Sequence, residues 1–430
     1  MASGAEEGLT ELDFFEMPSP SPISFRNRLS TLHLWVCTGL IGLLSADVVM
    51  GMFNAGLSPL KPILFTLLAV FVTIASSLLN KPRFAPVVFL VLFLPLVRVF
   101  DAAFLKRAEF TYAGQTEMDM MRMIIVLIAI LAVLATDDGL KIALGAAILS
   151  IFLTTGSEIF EMLGFAKFTQ IPGRFSGFNG HPNFPPILLC EMLGIAFALC
   201  KNFRFNCLLI ATAYVGVGLT YGRSGFVVLT LMSGFYILTN ARKNLNFLIL
   251  CVAIAIPLAG IGIAVLQSQT QKGIIKNKDT TDRMEAILNL DFDKLKSPER
   301  AKDVGDAMEA VLKRPFLGYG TGVSGARWAP HNEYVSIWLE LGIPGLLLFV
   351  GTLGILILRS LTTGGKAGYL LFAMIAYTPA GQGRIETPHF LLALSTAAMI
   401  LWPSRYRFVL SHSSPPSHTQ EPVHQNRPTG

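Results

Sequence analysis

His331 to Leu358 reads HNEYVSIWLELGIPGLLLFVGTLGILIL. From Tyr334 onward Glu340 is the one charged residue. A helix rises about 1.5 Å per residue, so this run is long enough to cross a hydrocarbon core about 30 Å thick. It opens, however, on a histidine, an asparagine and a glutamate. A membrane helix with such a mouth fixes the fold class and also raises the functional question.

The rest of the chain repeats the apolar theme. Of 430 residues, 52% are hydrophobic and 14% charged, and the mean hydropathy is +0.56; a soluble domain is about a quarter charged. Apolar windows lie near 30–51, 59–79, 84–100, 121–136, 139–161, 184–200, 204–221, 224–240, 246–267, 332–358, 367–383 and 388–403. The sequence therefore predicts an all-α polytopic membrane protein with about twelve transmembrane helices, because backbone groups in lipid must be satisfied within their own segment. Residues 1–28, acidic and then Pro/Ser-rich (EMPSPSPISF), predict a disordered cytoplasmic tail. Helices one to nine fill 29–267, an outer loop 268–331, the last three helices 332–404, and a second tail 405–430.

Orientation follows from Lys and Arg in the short loops. Lys81, Arg83, Lys201, Arg204, Arg242, Lys243, Arg359 and Lys366 fall on one side, with Arg26, Arg28, Arg405 and Arg407 at the ends. Both termini are then cytoplasmic, in a cell (inner) membrane, with 268–331 periplasmic. The net charge of +6 concerns orientation rather than nucleic acid, and no nucleic-acid partner is read. The loop has helical spacing: Ser297 and Pro298 start a helix, Met308, Val311 and Leu312 form its apolar stripe, and Pro315 and Gly318 end it. Such amphipathic helices suit a lipid surface and a lipid-linked substrate. Cys37, Cys190, Cys200, Cys207 and Cys251 are scattered without ligand spacing, so neither disulfides, a metal site nor a cofactor is predicted. No Walker loop, His-Glu-x-x-His or Cys-x-x-Cys is present.

Arg174, Arg223 and Arg384 lie in connections on the face that should be poor in cations, the face of His331. An arginine at a helix end can simply snorkel; three together point to an anion site. Asn332 is a helix N-cap and Asn183 a cap for the helix after it. His331 then sits in the positive field of a helix N-terminus, which favours the neutral imidazole a general base requires. Its bland alternative is that it only helps cap the helix. Glu340, inside the span, reads either as functional or as the partner of a buried arginine. Asp47, Glu158, Glu161 and Glu191 read equally well as interhelical contacts.

At these positions the chain resembles the O-antigen ligase and polymerase family. His331, Asn332, Gly342 and Gly345 match its His-Asn, nine residues, Gly-x-x-Gly. RFSGFNGHPN (174–183) resembles its Arg-x-Ser-Gly…His-Pro-Asn, YGRSG (221–225) its Ser-Arg-Ser/Thr-Gly helix start, and the run from Arg300 to RPFLGYGTG its loop arginine followed by Pro…Gly-x-Gly. Val227 stands where the ligases often have leucine. The resemblance implies an enzyme that moves a glycan from undecaprenyl diphosphate to a glycan or lipid A-core acceptor at the periplasmic face. In that chemistry Arg223, Arg300 and Arg174 would bind the diphosphate, with Arg384 and Arg283 as outer candidates, and His331 would take the acceptor proton, with inversion and no metal. A polymerase joining lipid-linked repeat units shares these motifs. A transporter would instead gather its polar residues at the bilayer midplane on broken helices.

Overall fold

The computed structural model describes residues 25–80, 82–84, 87–102, 113–169, 171, 173–240, 298–365, 367–381, 383–402 and 408–409. The helices are α1 (Phe25–Ser45), α2 (Val48–Asn54), α3 (Leu60–Leu79), α4 (Val87–Phe100), α5 (Ala113–Leu134), α6 (Gly139–Met162), α7 (Phe184–Leu199), α8 (Phe203–Thr220), α9 (Arg223–Asn240), α10 (Pro298–Lys313), α11 (Val323–Ala326), α12 (Glu333–Thr362), α13 (Gly368–Tyr377) and α14 (Pro388–Leu401). The strand pairing among the described residues is a short antiparallel one, β1 (Arg83–Phe84) with β2 (Phe408–Val409). Every apolar window of the sequence coincides with helix except 246–267, which lies outside the described residues, as do most of the tails and the first half of the 268–331 loop. By length and composition α3, α6, α8 and α12 are long enough to cross a membrane, and α1 with α2, bent by 50°, reaches that length as a broken pair. The other apolar helices are shorter, 10–17 residues in α7, α13, α14 and the described parts of α4 and α5. The protein is a helical membrane protein with four to five such span candidates among the described residues, and the remaining expected spans are the shorter apolar helices or lie outside those residues.

The shortness of α7 and α14 goes with their position. Both are buried along almost their whole length, Pro185 to Phe197 and Pro388 to Met399. A helix that is apolar all round and shielded on every side is a core element rather than a lipid-facing one. Small residues bring the surrounding helices close. A Cβ on Gly42 of α1 would lie 2.7 Å from Leu149 of α6, and one on Gly145 of α6 would lie 2.7 Å from Thr38 of α1. Polar pairs are sealed between helices: Glu191 of α7 meets His389 of α14 at 2.7 Å, both buried. That is the interhelical role the sequence left open for Glu191.

The helix quoted at the outset is interrupted. Gly342 has φ 71° and ψ −165°, a conformation open to glycine. Pro344 follows and cannot donate to the Glu340 carbonyl. The Ile343 N–H turns outward to the Pro315 carbonyl at 2.9 Å, so the Leu339 carbonyl also loses its helical partner. Both orphaned carbonyls are taken by the loop run RPFLGYG: Tyr319 N–H reaches Leu339 O at 2.8 Å and Gly320 N–H reaches Glu340 O at 2.9 Å. Trp338 Nε1–H adds a bond to Pro315 O at 3.0 Å. Two of the sequence motifs are thus two sides of one backbone docking.

Beneath this seam lies a buried charge cluster. Arg98 of α4 bonds Glu340 at 2.7 Å and Glu386 at 2.5 Å. Ser324 donates to the other Glu340 oxygen at 2.6 Å, and Thr321 N–H donates to Asp101 at 2.7 Å. Glu340 therefore has the buried arginine partner that was one of its two sequence readings. Helix α10 starts at Pro298 as expected and buries Ala307, Ala310 and Val311, with Met308 partly buried beside them, against Val335 and Leu339 of α12. Leu312 departs from its expected place in that stripe. It is 69% exposed, because one residue beyond Val311 is about 100° further around the helix, past the edge of the packed stripe.

Gly342→Ala is expected to destabilise the protein in detergent. The left-handed φ alone costs about 1–2 kcal/mol with a side chain, and the new Cβ would overlap the Phe316 carbonyl. Gly351→Ala, on the same helix with nothing within 4 Å, is the control and should leave the melting temperature unchanged.

Candidate active site

The polar mouth of α12 is built by its cap. Asn332 has extended backbone angles, and its side chain accepts the Val335 N–H at 3.2 Å. That forces the preceding residue to turn sharply, and His331 has φ 47°. A non-glycine residue in the left-handed region is uncommon and carries strain, which concentrates at functional positions. The His331 ring is half-buried. Burial first, and then Arg300, push its pKa below the usual 6.5, while Asp303 works the other way. Arg300 and Asp303 both come from α10, which the seam at Gly342 holds over the start of α12.

The backbone on either side of Arg174 is gathered by one carboxylate. Glu161, at the end of α6, accepts four backbone N–H groups: Phe168 at 2.7 Å, Thr169 at 2.5 Å, Ser176 at 2.9 Å and Gly177 at 3.0 Å. The segment lacks regular partners for these donors, and a carboxylate with two oxygens can take them all. So gathered, the segment crosses the α8–α9 turn. Phe175 N–H reaches the Leu219 carbonyl at 3.2 Å. Arg174 donates from Nε to the Thr220 carbonyl at 2.8 Å and from Nη2 to Asn183 Oδ1 at 3.1 Å. Tyr221, left-handed at φ 52°, then turns the chain so that α9 opens with Arg223.

Arg174 and Asn183 are partners of each other, and the expected capping role of Asn183 changes. Arg174 is buried, at 3% exposure, and commits nitrogens to the α8 C-terminus and Asn183. Asn183 stands at the N-cap position of α7 but makes no side-chain cap bond, since its oxygen receives Arg174.

The segment ends on His181, which the sequence reading passed over as a candidate. The residue is exposed at the surface of the site, yet partial desolvation first, and then Arg174, His331 and Arg300, lower its pKa to about 4. His181, Arg174, His331 and Arg300 thus act on one another, although 157 residues separate Arg174 from His331 in the sequence. The four stretches RFSGFNGHPN, YGRSG, the Arg300 run and HNEYV therefore converge. Arg283 lies outside the described residues. Arg384 begins a one-turn helix, Arg384–Glu386, whose Glu386 belongs to the Arg98 cluster. Among the described residues no three His, Cys, Asp or Glu side chains gather as a metal site would require. Chemically the arrangement offers fixed cations for an anion and neutral imidazoles beside them.

Residues 207–350 match a family model described as O-antigen ligase. The match covers the YGRSG turn, the Arg300 run and the His331 cap; segment 174–183 precedes it. No curated protein matches the chain. Residues 207–350 are thus an O-antigen ligase-like region, and the resemblance drawn from the motifs stands.

Glu161→Leu is expected to free the four N–H groups while keeping the side chain's bulk. Amide hydrogen exchange across 168–177 should then accelerate by at least tenfold relative to α6 and α7, as read by mass spectrometry of the purified protein.

Proposed function

We propose, with the O-antigen ligase-like region as premise, that this membrane protein transfers a glycan from undecaprenyl diphosphate to a sugar hydroxyl at the periplasmic face of the inner membrane. The observation that carries the proposal is the strained His331 at the cap of α12, sharing one electrostatic neighbourhood with Arg300, His181 and Arg174. The acceptor oxygen attacks the anomeric carbon as the bond to the diphosphate oxygen breaks. One displacement gives inversion. The acceptor proton passes to His331, and the electron pair of the broken bond leaves with the lipid diphosphate.

The residues divide this work by their chemistry. A diphosphate is a good leaving group once its charge is met, and arginine meets it with a fixed, planar pair of donors. Arg223 and Arg300 are assigned to direct contact. Arg174 contributes its field and holds the segment that carries His181 against the α8–α9 turn. The hydroxyl acceptor needs a base, and the lowered pKa of His331 keeps that base neutral at physiological pH. The twelve-span plan, with both termini cytoplasmic, puts this chemistry outside. A lipid A-core acceptor makes the enzyme a ligase, a second lipid-linked unit a polymerase.

A reporter fused after Ala329 is expected to read as periplasmic and one after Gly364 as cytoplasmic; the reverse pair would put His331 on the wrong side. With a lipid-diphosphate donor in detergent, His331→Ala should lower turnover by about 10²–10⁴-fold and leave donor affinity near that of the unsubstituted protein. Arg223→Ala should weaken both, and Arg223→Lys should recover them only in part. The acid limb of the pH–rate profile should fall below pH 6.5, because His331 must be deprotonated to act and its pKa is lowered. Near-normal turnover in properly inserted His331→Ala protein would return the histidine to a capping role.

A further inference from the structure

We infer that His181 is a second substrate-contacting histidine, fixed as a hydrogen-bond donor through Nε2 to an anionic oxygen of the lipid diphosphate. The inference rests on the function proposed above and deepens its donor site.

The geometry settles which nitrogen is available. His181 Nδ1 accepts the backbone N–H of Asn183 at 3.2 Å. A nitrogen that accepts carries no proton, so the neutral ring must hold its hydrogen on Nε2. The ring is also fixed in place. Its edge meets Phe184 with centroids 5.9 Å apart, Phe184 N–H bonds the His181 carbonyl at 3.1 Å, and Pro182 after it restricts the backbone. The residue itself remains exposed, on the face it shares with His331 and Arg300.

Charge supports the same role. With its pKa near 4, the ring stays neutral at physiological pH even when a bound anion raises it by about two units. A neutral donor among cations suits a diphosphate oxygen. A permanently cationic ring there would depress His331 further and weaken the base. The two histidines would then hold opposite hydrogen-bonding states: His331 ready to accept a proton, His181 held to donate one hydrogen bond without titrating.

The test uses the full-length protein in lipid nanodiscs and two probes, undecaprenyl diphosphate without glycan and the glycan-loaded donor. His181→Ala is expected to raise the dissociation constant for undecaprenyl diphosphate by about 10-fold to 100-fold, the loss of a hydrogen bond to a charged group. His181→Gln, whose amide retains an N–H at similar reach, should recover most of that affinity. In both variants the acid limb of the pH–rate profile should stay where His331 sets it. In ¹⁵N-histidine-labelled protein, the His181 resonances, identified by their absence in His181→Gln, should report the Nε2–H tautomer and no titration between pH 8 and pH 5. Unchanged affinity in His181→Ala, or an acid limb that moves in His181→Gln, overturns the assignment while leaving the proposed reaction intact. Failure of the unsubstituted protein to bind undecaprenyl diphosphate overturns that reaction, and the assignment with it.

Discussion

The fold turns on a shortage of hydrogen bonds. A helix in or near a membrane must satisfy its own carbonyls, and α12 fails to do so over Leu339 and Glu340, because Ile343 turns away and Pro344 has nothing to give. The two vacancies are filled by Tyr319 and Gly320. Once that seam forms, α10 has no freedom to drift. Its apolar stripe closes on Val335 and Leu339, and Arg300 and Asp303 come to rest beside His331. The glycines are demanded by the same seam: a side chain on Gly342 or Gly318 would occupy the space of the opposing backbone.

Two clusters of charge share the structure and obey different rules. Around Arg98 the partners are buried or, for Glu386, partly buried, and the carboxylates of Glu340 and Glu386 neutralise it directly. Such a cluster specifies an arrangement more than it contributes net stability, since desolvation offsets much of the attraction. Around His331 the groups are less deeply buried, and Arg300 and Asp303 pull its pKa in opposite directions. Acidic residues inside the bundle serve Arg98 and the backbone N–H groups on either side of Arg174.

What the sequence disclosed follows from the range of the forces involved. The Asn332 cap, the Pro298 start of α10 and the apolar helices depend on neighbours within a few residues, and all could be read directly. The Lys/Arg pattern of the short loops already put Arg174 on the face of His331, but their approach to each other and to Arg300 is set by contacts far apart in sequence, and only the resemblance pointed to it. Arg98 was hidden: an arginine in an apolar run looks like an interfacial residue until its partner, distant in sequence, is known. Glu161 passed for a helix neighbour, although the question of where the N–H groups of a glycine-rich, non-helical segment find acceptors would have pointed to it. His181 was quoted within a motif and given no role. Leu312 was misplaced because a stripe read at i, i+3, i+4 says which side is apolar but not where the packing stops.

The Arg98 cluster also imposes an order on biosynthesis. Arg98 and Glu340 are 242 positions apart, so at roughly 5–20 residues synthesised per second the arginine waits about 12–50 s for its partner. Through that interval α4 holds a cation among apolar side chains with Asp101 as its near carboxylate, an arrangement that favours lingering at the membrane surface over settling at depth. Arrival of α12 supplies Glu340, and the loop before it supplies Thr321 for Asp101. Seating of Arg98 and formation of the His331 cap then share the arrival of α12, and Glu386, still further along the chain, completes the cluster.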